Sequence, residues 1–268
     1  MSENRNVYRF NSDELERYVM MKEDQKMMQA MILAAGLGTR LKPLTDHVPK
    51  ALVEVGGEPL LKQVIFKLKD AGFSRIIVNV HHFSEQIIQY LETNHYFGLD
   101  IRISDETNQL LDTGGGIKAA KRLFGDARIL IHNVDILSNI NLQRFYFAHT
   151  EAAATLLVSE RNTNRYLLFD DDMRLVGWTN VTTGEVRSPY SNLNVAQYKK
   201  LAFAGIHTFS PQLFPWMDSF PDRFGVIDFY LSVCNQVPII GHVESNLKLM
   251  DVGKQETLHS AEEFMRQL

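Results

Sequence analysis

Cysteine is nearly absent from this chain, which has a single one, Cys234, among 268 residues. One thiol excludes an internal disulfide, and it also excludes a zinc site built from paired cysteines. The chain lacks an apolar run long enough to span a membrane, and it lacks an N-terminal signal-peptide pattern. We therefore expect a protein of the reducing cytoplasm that has no membrane partner.

An excess of basic charge is absent as well. The chain has 28 Lys and Arg against 32 Asp and Glu, which gives a formal net charge of -4 at pH 7. Proteins that bind nucleic acid usually carry net positive charge, so we expect no nucleic-acid partner. Any anionic ligand must instead meet a local cluster of cations. With 45% hydrophobic and 22% charged residues, the chain can bury the core of one large α/β domain.

Two common phosphate-binding loops are missing. The P-loop pattern G-x-x-x-x-G-K-[ST] does not occur, and Leu41 stands where the dinucleotide pattern G-x-G-x-x-G needs its third glycine. These absences argue against a P-loop kinase or ATPase and against a dinucleotide-binding fold. Glycine is nevertheless concentrated in residues 31–57, which read MILAAGLGTRLKPLTDHVPKALVEVGG.

That segment has the features of a polyphosphate site. Residues 31–33 are an apolar run that predicts a buried strand, and the small residues that follow allow a ligand to approach the backbone. Successive N–H groups in such a loop can point at one anion. Arg40 and Lys50 add the full positive charges that phosphate oxygens require.

The segment also carries the motif G-x-G-T-R followed by P-K, which resembles the signature of the sugar-1-phosphate nucleotidyltransferases. The matching residues are Gly36, Gly38, Thr39, Arg40, Pro49 and Lys50. The resemblance implies an α/β fold with a Rossmann-like, mostly parallel mixed sheet flanked by helices and a small additional β layer, the nucleotide-diphospho-sugar transferase type. It also implies Mg2+-dependent transfer of a nucleotidyl group from an NTP to a sugar-1-phosphate, which gives an NDP-sugar and pyrophosphate.

The resemblance assigns roles within the segment. It implies that Arg40 clamps the triphosphate and helps pyrophosphate leave, and that Lys50 bridges the reacting phosphates. Without the motif, either cation would be an ordinary surface residue paired with a nearby acid such as Asp46 or Glu54. The nucleotide-binding residues expected here are Leu33, Ala34, Ala35, Gly36, Gly38 and Thr39.

Short apolar segments alternate with amphipathic ones from Gln29 onward, which predicts βαβ units and a mostly parallel sheet. The pattern predicts strands at residues 30–33, 75–80, 101–104 and 128–132, and helices from Pro59, from Ser84 and over residues 116–124. After residue 150 it predicts strands at 154–158, 166–169, 175–178 and 201–208, with a hairpin turn at 170–172. We expect one nucleotidyltransferase domain over residues 29–268, preceded by an N-terminal extension, residues 1–28, that forms a short helix or a tail.

Two aspartates are predicted at strand ends. Asp135 follows the apolar run at 129–131, and Asp251 follows the run at 247–250. An isolated aspartate at such a place most often caps a helix or closes a turn. The resembling family has a strand-end aspartate and a late D-V-G motif that hold Mg2+, so the resemblance implies that Asp135 and Asp251 are metal ligands.

A second glycine cluster narrows the resemblance. Residues 112–117 read D-T-G-G-G-I, similar to the E-T-G-G-G-I of the N-acetylmuramate α-1-phosphate uridylyltransferases of bacterial cell-wall recycling. The resemblance implies that Thr113, Gly114 and Gly115 contact the base of an NTP, most simply UTP. Glu106 is placed where a side chain could read that base.

The sequence matches the family less completely at the residues that bind the acceptor sugar phosphate. Residues 203–206 resemble the F-x-G-I strand whose glycine backs the sugar, which makes Gly205, together with Asn133, an expected sugar contact. Many family members hold the sugar phosphate with a Glu-Lys pair before a proline, but this chain has Gly177, Trp178, Thr179 and Asn180 near that place. A guanylyl-, cytidylyl- or thymidylyltransferase acting on another hexose or heptose phosphate, or a nucleotide-sugar-binding module without turnover, remains an alternative. The expected assembly is a monomer or a homodimer.

Overall fold

The computed structural model describes residues 28–267. Its strands are β1 (Gln29–Leu33), β2 (Glu54–Val55), β3 (Glu58–Pro59), β4 (Arg75–Val80), β5 (Asp100–Asp105), β6 (Ile129–Asn133), β7 (Ile136–Ser138), β8 (Ala154–Ser159), β9 (Arg165–Phe169), β10 (Leu175–Asn180), β11 (Val186–Arg187), β12 (Lys199–Phe209), β13 (Ile239–Val243) and β14 (Leu249–Asp251). Its α-helices are α1 (Leu60–Asp70), α2 (Ser84–Thr93), α3 (Asp112–Ala119), α4 (Leu142–Tyr146), α5 (Phe214–Met217), α6 (Val226–Val233) and α7 (Gln255–Met265). Apart from Met28, the expected N-terminal extension lies outside the described residues.

One ten-stranded sheet organises the described chain. Strands β5, β4, β1 and β6 run parallel, and the antiparallel strand β12 joins them through β6 to β8, β9, β10, β11 and β13. The predicted mixed, mostly parallel sheet with an added β region is therefore confirmed. Helices on both faces explain why β1 is a continuous apolar run, because Ala30, Met31 and Ile32 are fully buried.

Strand register determines where a site can form. Leu33, the last residue of β1, is level with Asn79 of β4 on one side and with Asn133 of β6 on the other. The carboxyl ends of these three parallel strands therefore meet at one edge, which is where open α/β sheets bind ligands. Polar residues at the ends of otherwise apolar strands mark that edge.

Helix α1 shows how the sequence pattern becomes packing. Its buried residues Leu60, Leu61, Val64, Ile65 and Leu68 share one face, as the 3.6-residue repeat requires. The helix is followed by Gly72, whose φ of 92° lies in the left-handed region that glycine tolerates best. The predicted helix beginning at Ser84 is also present, as α2.

The third helix begins earlier than its composition predicts. The glycine cluster suggested a turn before a helix at residue 116, but α3 already begins at Asp112 and ends at Ala119. Three consecutive glycines disfavour a helix locally. Tertiary packing overrides that preference, because the amides of Gly114 and Gly115 donate to the carbonyl of Phe224 at 2.9 and 3.2 Å.

A short two-stranded ribbon brings the C-terminal part of the chain to the sheet edge. β14 pairs antiparallel with β7, with Asp251 opposite Ile136, and Val252 N donates to the carbonyl of Asp135 at 2.8 Å. The predicted turn at residues 170–172 is confirmed as the β9–β10 hairpin connection, closed by Asp170 N to Arg174 O at 3.0 Å. Among residues 28–267, none of the helices combines the length and apolar character needed to cross a bilayer.

Candidate active site

A cavity of about 210 Å³ opens at the carboxyl edge of β1, β4 and β6. The predicted site residues that line it are Leu33, Ala34, Ala35, Gly36, Lys50, Glu106, Thr113, Asn133 and Asp135. Asn79, Leu110, Asp112 and Val134 complete the lining. Most residues predicted for the nucleotide therefore surround one space, although their individual roles stay predictions.

The two predicted metal ligands are neighbours. Asp135 precedes β7, and Asp251 ends β14, which pairs with β7. The carboxylate of Asp251 is partly buried, and its Oδ1 accepts no hydrogen bond from any residue in the described part of the chain. Burial, and then the negative charge of Asp135, raise the pKa of Asp251 above its ordinary value, while Lys50, Arg40 and Arg161 oppose this.

Two predicted cations face these acids. The Lys50 ammonium forms an ion pair with Oδ2 of Asp135, and the lysine side chain is only 10% exposed. Arg40 lies on the other side, because an ideal Cβ placed on Gly253 would meet Arg40 Nη2 at 2.7 Å and Asp251 Oδ1 at 2.5 Å. Gly253 thus leaves the space in which the guanidinium and the Asp251 carboxylate approach each other.

The acids suit a divalent cation. A buried carboxylate oxygen without a partner, next to a second carboxylate, is stabilised by added positive charge. Mg2+ commonly takes one or two protein carboxylates and completes its shell with phosphate oxygens and water. No cluster of three or more His, Cys, Asp or Glu side chains placed to hold a metal ion is found within residues 28–267, so Mg2+ binding by Asp135 and Asp251 stays a prediction.

The loop after β1 is open toward the cavity. An ideal Cβ on Gly36 would meet no atom within 4 Å. The amides of Ala35 and Gly36 donate no hydrogen bond to any group in residues 28–267, whereas Ala34 N donates to Asn79 Oδ1 at 2.7 Å. Free amides at an open glycine are what an anion-binding loop requires.

Gly38 and Thr39 lie outside the cavity lining. Gly38 has a φ of 63°, and an ideal Cβ on it would come within 2.8 Å of Thr45 Cγ2. Its carbonyl accepts from Thr45 Oγ1 at 2.8 Å, and Thr39 begins the 3-10 turn Thr39–Leu41. These residues shape the loop that carries Arg40.

Asn79 is a site residue that the motifs did not indicate. It is buried in β4, and its Nδ2 donates to Glu106 Oε1 at 2.7 Å, while its Oδ1 holds Ala34 N. Glu106 also accepts from Leu111 N at 3.1 Å through Oε2. Burial raises the pKa of Glu106. A lone asparagine in the apolar strand Ile-Ile-Val-Asn-Val was the signal available in the sequence.

Gly114 and Gly115 have a different partner from the expected base. An ideal Cβ on Gly114 would lie 2.4 Å from the ring of Phe224, and one on Gly115 would lie 2.0 Å from Asp222 O. Neither glycine lines the cavity, and both amides already bind Phe224 O. Their small size is therefore needed for packing against the protein, while Thr113 lines the cavity and accepts from Val226 N at 2.9 Å.

The two predicted sugar contacts lie together. Gly205 has a φ of 74° in β12, and an ideal Cβ there would meet Asn133 Nδ2 at 2.9 Å and Ile136 Cγ1 at 3.0 Å. Gly205 therefore allows the Asn133 side chain, which lines the cavity, to pack against β12. Whether either residue touches a sugar stays a prediction.

The half-buried Lys67 joins helix α1 to the strand that follows Asp135. Lys67 of α1 donates to the carbonyl and to Oγ of Ser138, the latter at 2.9 Å, and so fastens the helix to the end of β7. Burial lowers the pKa of Lys67 to about 8. Because β7 follows Asp135 directly, this contact helps to hold the segment that carries Asp135 in place.

Two adjacent carboxylates and two cations near an open glycine loop are an arrangement that suits group transfer between phosphates. Residues 29–166 match the family model described as Nucleotidyl transferase. An N-acetylmuramate alpha-1-phosphate uridylyltransferase of Caulobacter vibrioides is 33% identical over 193 residues, which cover 69% of this chain and 76% of that protein. The chain therefore belongs to the nucleotidyl transferase family, among its sugar-1-phosphate nucleotidyltransferases.

Further similar proteins agree at the level of family and fold. A Neisseria meningitidis protein of the same name is 42% identical over 114 residues, 42% of this chain and 49% of that protein. The crystal structure of HddC from Yersinia pseudotuberculosis complexed with GMP-PN has a TM-score of 0.71 at 23% identity, covering 89% of this chain and 100% of that one. The latter similarity supports the fold alone.

Proposed function

We propose that this enzyme transfers the uridylyl group of UTP to a sugar-1-phosphate in a Mg2+-dependent reaction, with N-acetylmuramate α-1-phosphate as the first acceptor to test. The observation that carries the proposal is the Lys50–Asp135 ion pair in the cavity that Gly36 lines, with Asp251 on the strand next to Asp135 and Arg40 beside Asp251, although Asp251 and Arg40 do not line the cavity themselves. Nucleotidyl transfer is mainly positioning and charge stabilisation, and this arrangement supplies both.

The reaction needs no covalent enzyme intermediate. An oxygen of the acceptor phosphate attacks the α-phosphorus of UTP, a new P–O bond forms, and the bond to pyrophosphate breaks. The ammonium of Lys50 stabilises negative charge on the reacting phosphates, and the Arg40 guanidinium stabilises the leaving pyrophosphate. Asp135 and Asp251 would hold Mg2+, which when bound neutralises phosphate charge.

Two observations support uridine. The motif at residues 112–117 resembles that of uridylyltransferases, and the relatives from Caulobacter vibrioides and Neisseria meningitidis are uridylyltransferases by name. A guanylyl donor is the second candidate, because a D-glycero-alpha-D-manno-heptose 1-phosphate guanylyltransferase of Aneurinibacillus thermoaerophilus is 31% identical over 132 residues. The base therefore has to be measured directly.

A substrate panel tests the proposal. The protein is incubated with each of UTP, GTP, CTP and dTTP, with a set of sugar-1-phosphates, and with Mg2+ or a chelator, and the NDP-sugar is identified by mass spectrometry. We expect UDP-N-acetylmuramate as the main product and its loss on chelation. A GDP- or CDP-sugar as the main product would contradict the choice of base, and the absence of any product would support a binding module without turnover.

A further inference from the structure

A second, larger cavity of about 540 Å³ lies in the β-rich half of the described chain. It is lined by Arg161, Thr163, Arg165, Leu167, Trp178, Asn180, Glu185, Arg187, Phe203, Ile227 and Asp228. Aromatic and apolar side chains therefore share its wall with three arginines. Such a mixture suits a ligand that has both a ring with apolar faces and negative charge.

The three arginines differ in how their charge is met. Arg187 forms an ion pair with Asp228, lies 3.6 Å from Glu185 through Nε, and stacks on the Trp178 ring at 3.9 Å. Arg161 and Arg165 are exposed and have no acidic partner within residues 28–267. The cavity thus carries two guanidinium charges that no carboxylate of the described chain neutralises.

Strand β12 connects this cavity with the catalytic one. Arg161 Nη2 donates to the carbonyl of Phe203 at 2.9 Å, and Phe203 lines the second cavity. Two residues further along β12, Gly205 packs against Asn133, which lines the first cavity. Through Phe203 and Gly205, Arg161 therefore lies at the end of the second cavity that is nearer to Asn133 and the first cavity.

Arg165 occupies a different place in the same wall. It begins β9, which pairs with β10, and its register partner is Asn180, another lining residue. No contact in the described chain joins Arg165 to the catalytic acids. A ligand that reaches both arginines must therefore present one anion toward the first cavity and another farther out.

We propose that the second cavity binds the acceptor sugar phosphate, with Arg161 holding its 1-phosphate and Arg165 binding a carboxylate carried by the sugar itself. This inference rests on the proposed function, since it assumes a sugar-1-phosphate acceptor. N-acetylmuramate carries such a carboxylate, on its lactyl ether group. Phe203 supplies apolar surface for the ring and its substituents, while the Trp178 ring in the same wall is already covered by Arg187. The arginines also supply the phosphate contact left open by the missing Glu-Lys pair.

The proposal predicts a particular kind of selectivity. Arg165 is exposed and stays hydrated when the acceptor has no carboxylate. Such an acceptor loses the ion pair with Arg165, but it does not leave a buried charge without a partner. Discrimination by Arg165 is therefore expected to be moderate, about 10- to 100-fold in kcat/KM. Arg161, which meets the phosphate common to every acceptor, should contribute equally to all of them.

The test compares N-acetylmuramate 1-phosphate with N-acetylglucosamine 1-phosphate, which lacks the lactyl carboxylate. Kinetics are measured for the wild type, Arg165→Gln, Arg161→Gln and the control Arg122→Gln, an exposed arginine outside both cavities. We expect Arg165→Gln to raise KM for the first acceptor only, so that the preference between acceptors falls about tenfold or more. Arg161→Gln should lower kcat/KM for both, and the control should lower neither.

The possible outcomes separate this inference from the proposed function. A wild type that is active on these acceptors, with a preference that Arg165→Gln leaves unchanged, would overturn the inference and leave the proposed function standing. A wild type inactive on every acceptor would overturn both. Thermal unfolding of each variant distinguishes a lost contact from a lost fold, and both arginines are exposed.

Discussion

Two glycine-rich segments, residues 34–38 and 112–116, look alike in sequence but have different surroundings in the structure. Both were predicted to contact the nucleotide. An ideal Cβ on Gly36 meets nothing within 4 Å, whereas one on Gly115 would lie 2.0 Å from Asp222 O. Gly36 in the first segment borders open space, and Gly115 in the second makes room for the protein's own backbone.

The difference extends to the backbone amides and to charge. Amides of Ala35 and Gly36 are free within the described chain, while those of Gly114 and Gly115 both bind Phe224 O. The first segment also leads to Lys50, which pairs with Asp135. Substitutions in the first segment should therefore affect catalysis, and substitutions in the second should affect stability.

The largest effect should come from Lys50→Ala, which removes the cation that we propose lies beside the reacting phosphates. We expect turnover to fall on the order of 10²–10³-fold, by comparison with the loss of one transition-state donor. The rate of pyrophosphate release measures turnover. The assay is run well below the melting temperature of the variant, because losing the ion pair with Asp135 also lowers stability. Lys69→Ala, an exposed lysine on α1, is the control. Near-normal turnover would place Lys50 outside the reaction.

Gly115→Ala should be the most damaging change in the second segment. The added methyl group would overlap Asp222 O, so α3 or the residue 222–224 segment must shift. We expect a loss of about 3 kcal/mol in the free energy of unfolding, as for overpacking of a dense core. Urea unfolding provides the measurement. In the matched Gly125→Ala variant the new methyl would make only ordinary contacts, the nearest at 3.6 Å. Equal stability of the two variants would contradict the claim that Gly115 is required for close packing against Asp222.

Gly36→Ala should have the opposite profile. Its methyl group would enter open space, so the free energy of unfolding should stay within about 0.5 kcal/mol of the wild type. The same methyl group would crowd the nucleotide, and we expect KM for the NTP to rise about tenfold, equivalent to 1.4 kcal/mol. Steady-state kinetics and urea unfolding together test this. An unchanged KM would mean that the ligand does not approach Gly36.

The smallest effect concerns Glu106, which joins the two segments through Asn79 and Leu111 N. Burial raises the pKa of Glu106 above its ordinary value of 4.5. A raised carboxyl pKa contributes stability below pH 4.5 that is lost as pH rises through the folded-state pKa. Glu106→Gln should remove this contribution and make stability less dependent on pH just above 4.5. Unfolding curves at several pH values check it, and an unchanged pH dependence in the variant would contradict it.

The sequence was sufficient for features that depend on local pattern. The apolar run at residues 31–33 predicted β1, and the motif with Lys50 and the strand-end Asp135 predicted residues that do meet at one cavity. These predictions were correct because the carboxyl ends of parallel strands lie at one edge of the sheet. A predicted strand and the polar residue after it therefore already place that residue at the ligand-binding edge.

Features that depend on contacts between residues far apart in the sequence could not be predicted from local pattern. The early start of α3 depends on Phe224, more than a hundred residues away from Gly114. Asn79 reads as an ordinary strand residue until its bonds to Ala34 and Glu106 are seen. The cavity with Arg161 and Arg165 is assembled by pairing among β9, β10, β11 and β12, and no motif marks it.

The central claim is that Asp135 and Asp251, with Lys50 and Arg40, form the centre where phosphates react. The most direct test is the rate of pyrophosphate release by Asp135→Asn at saturating UTP and acceptor across a range of Mg2+ concentrations. We predict a rate on the order of 10²–10³ below the wild type at every concentration, in a protein whose melting temperature shows that it is folded. A rate close to that of the wild type would contradict the account.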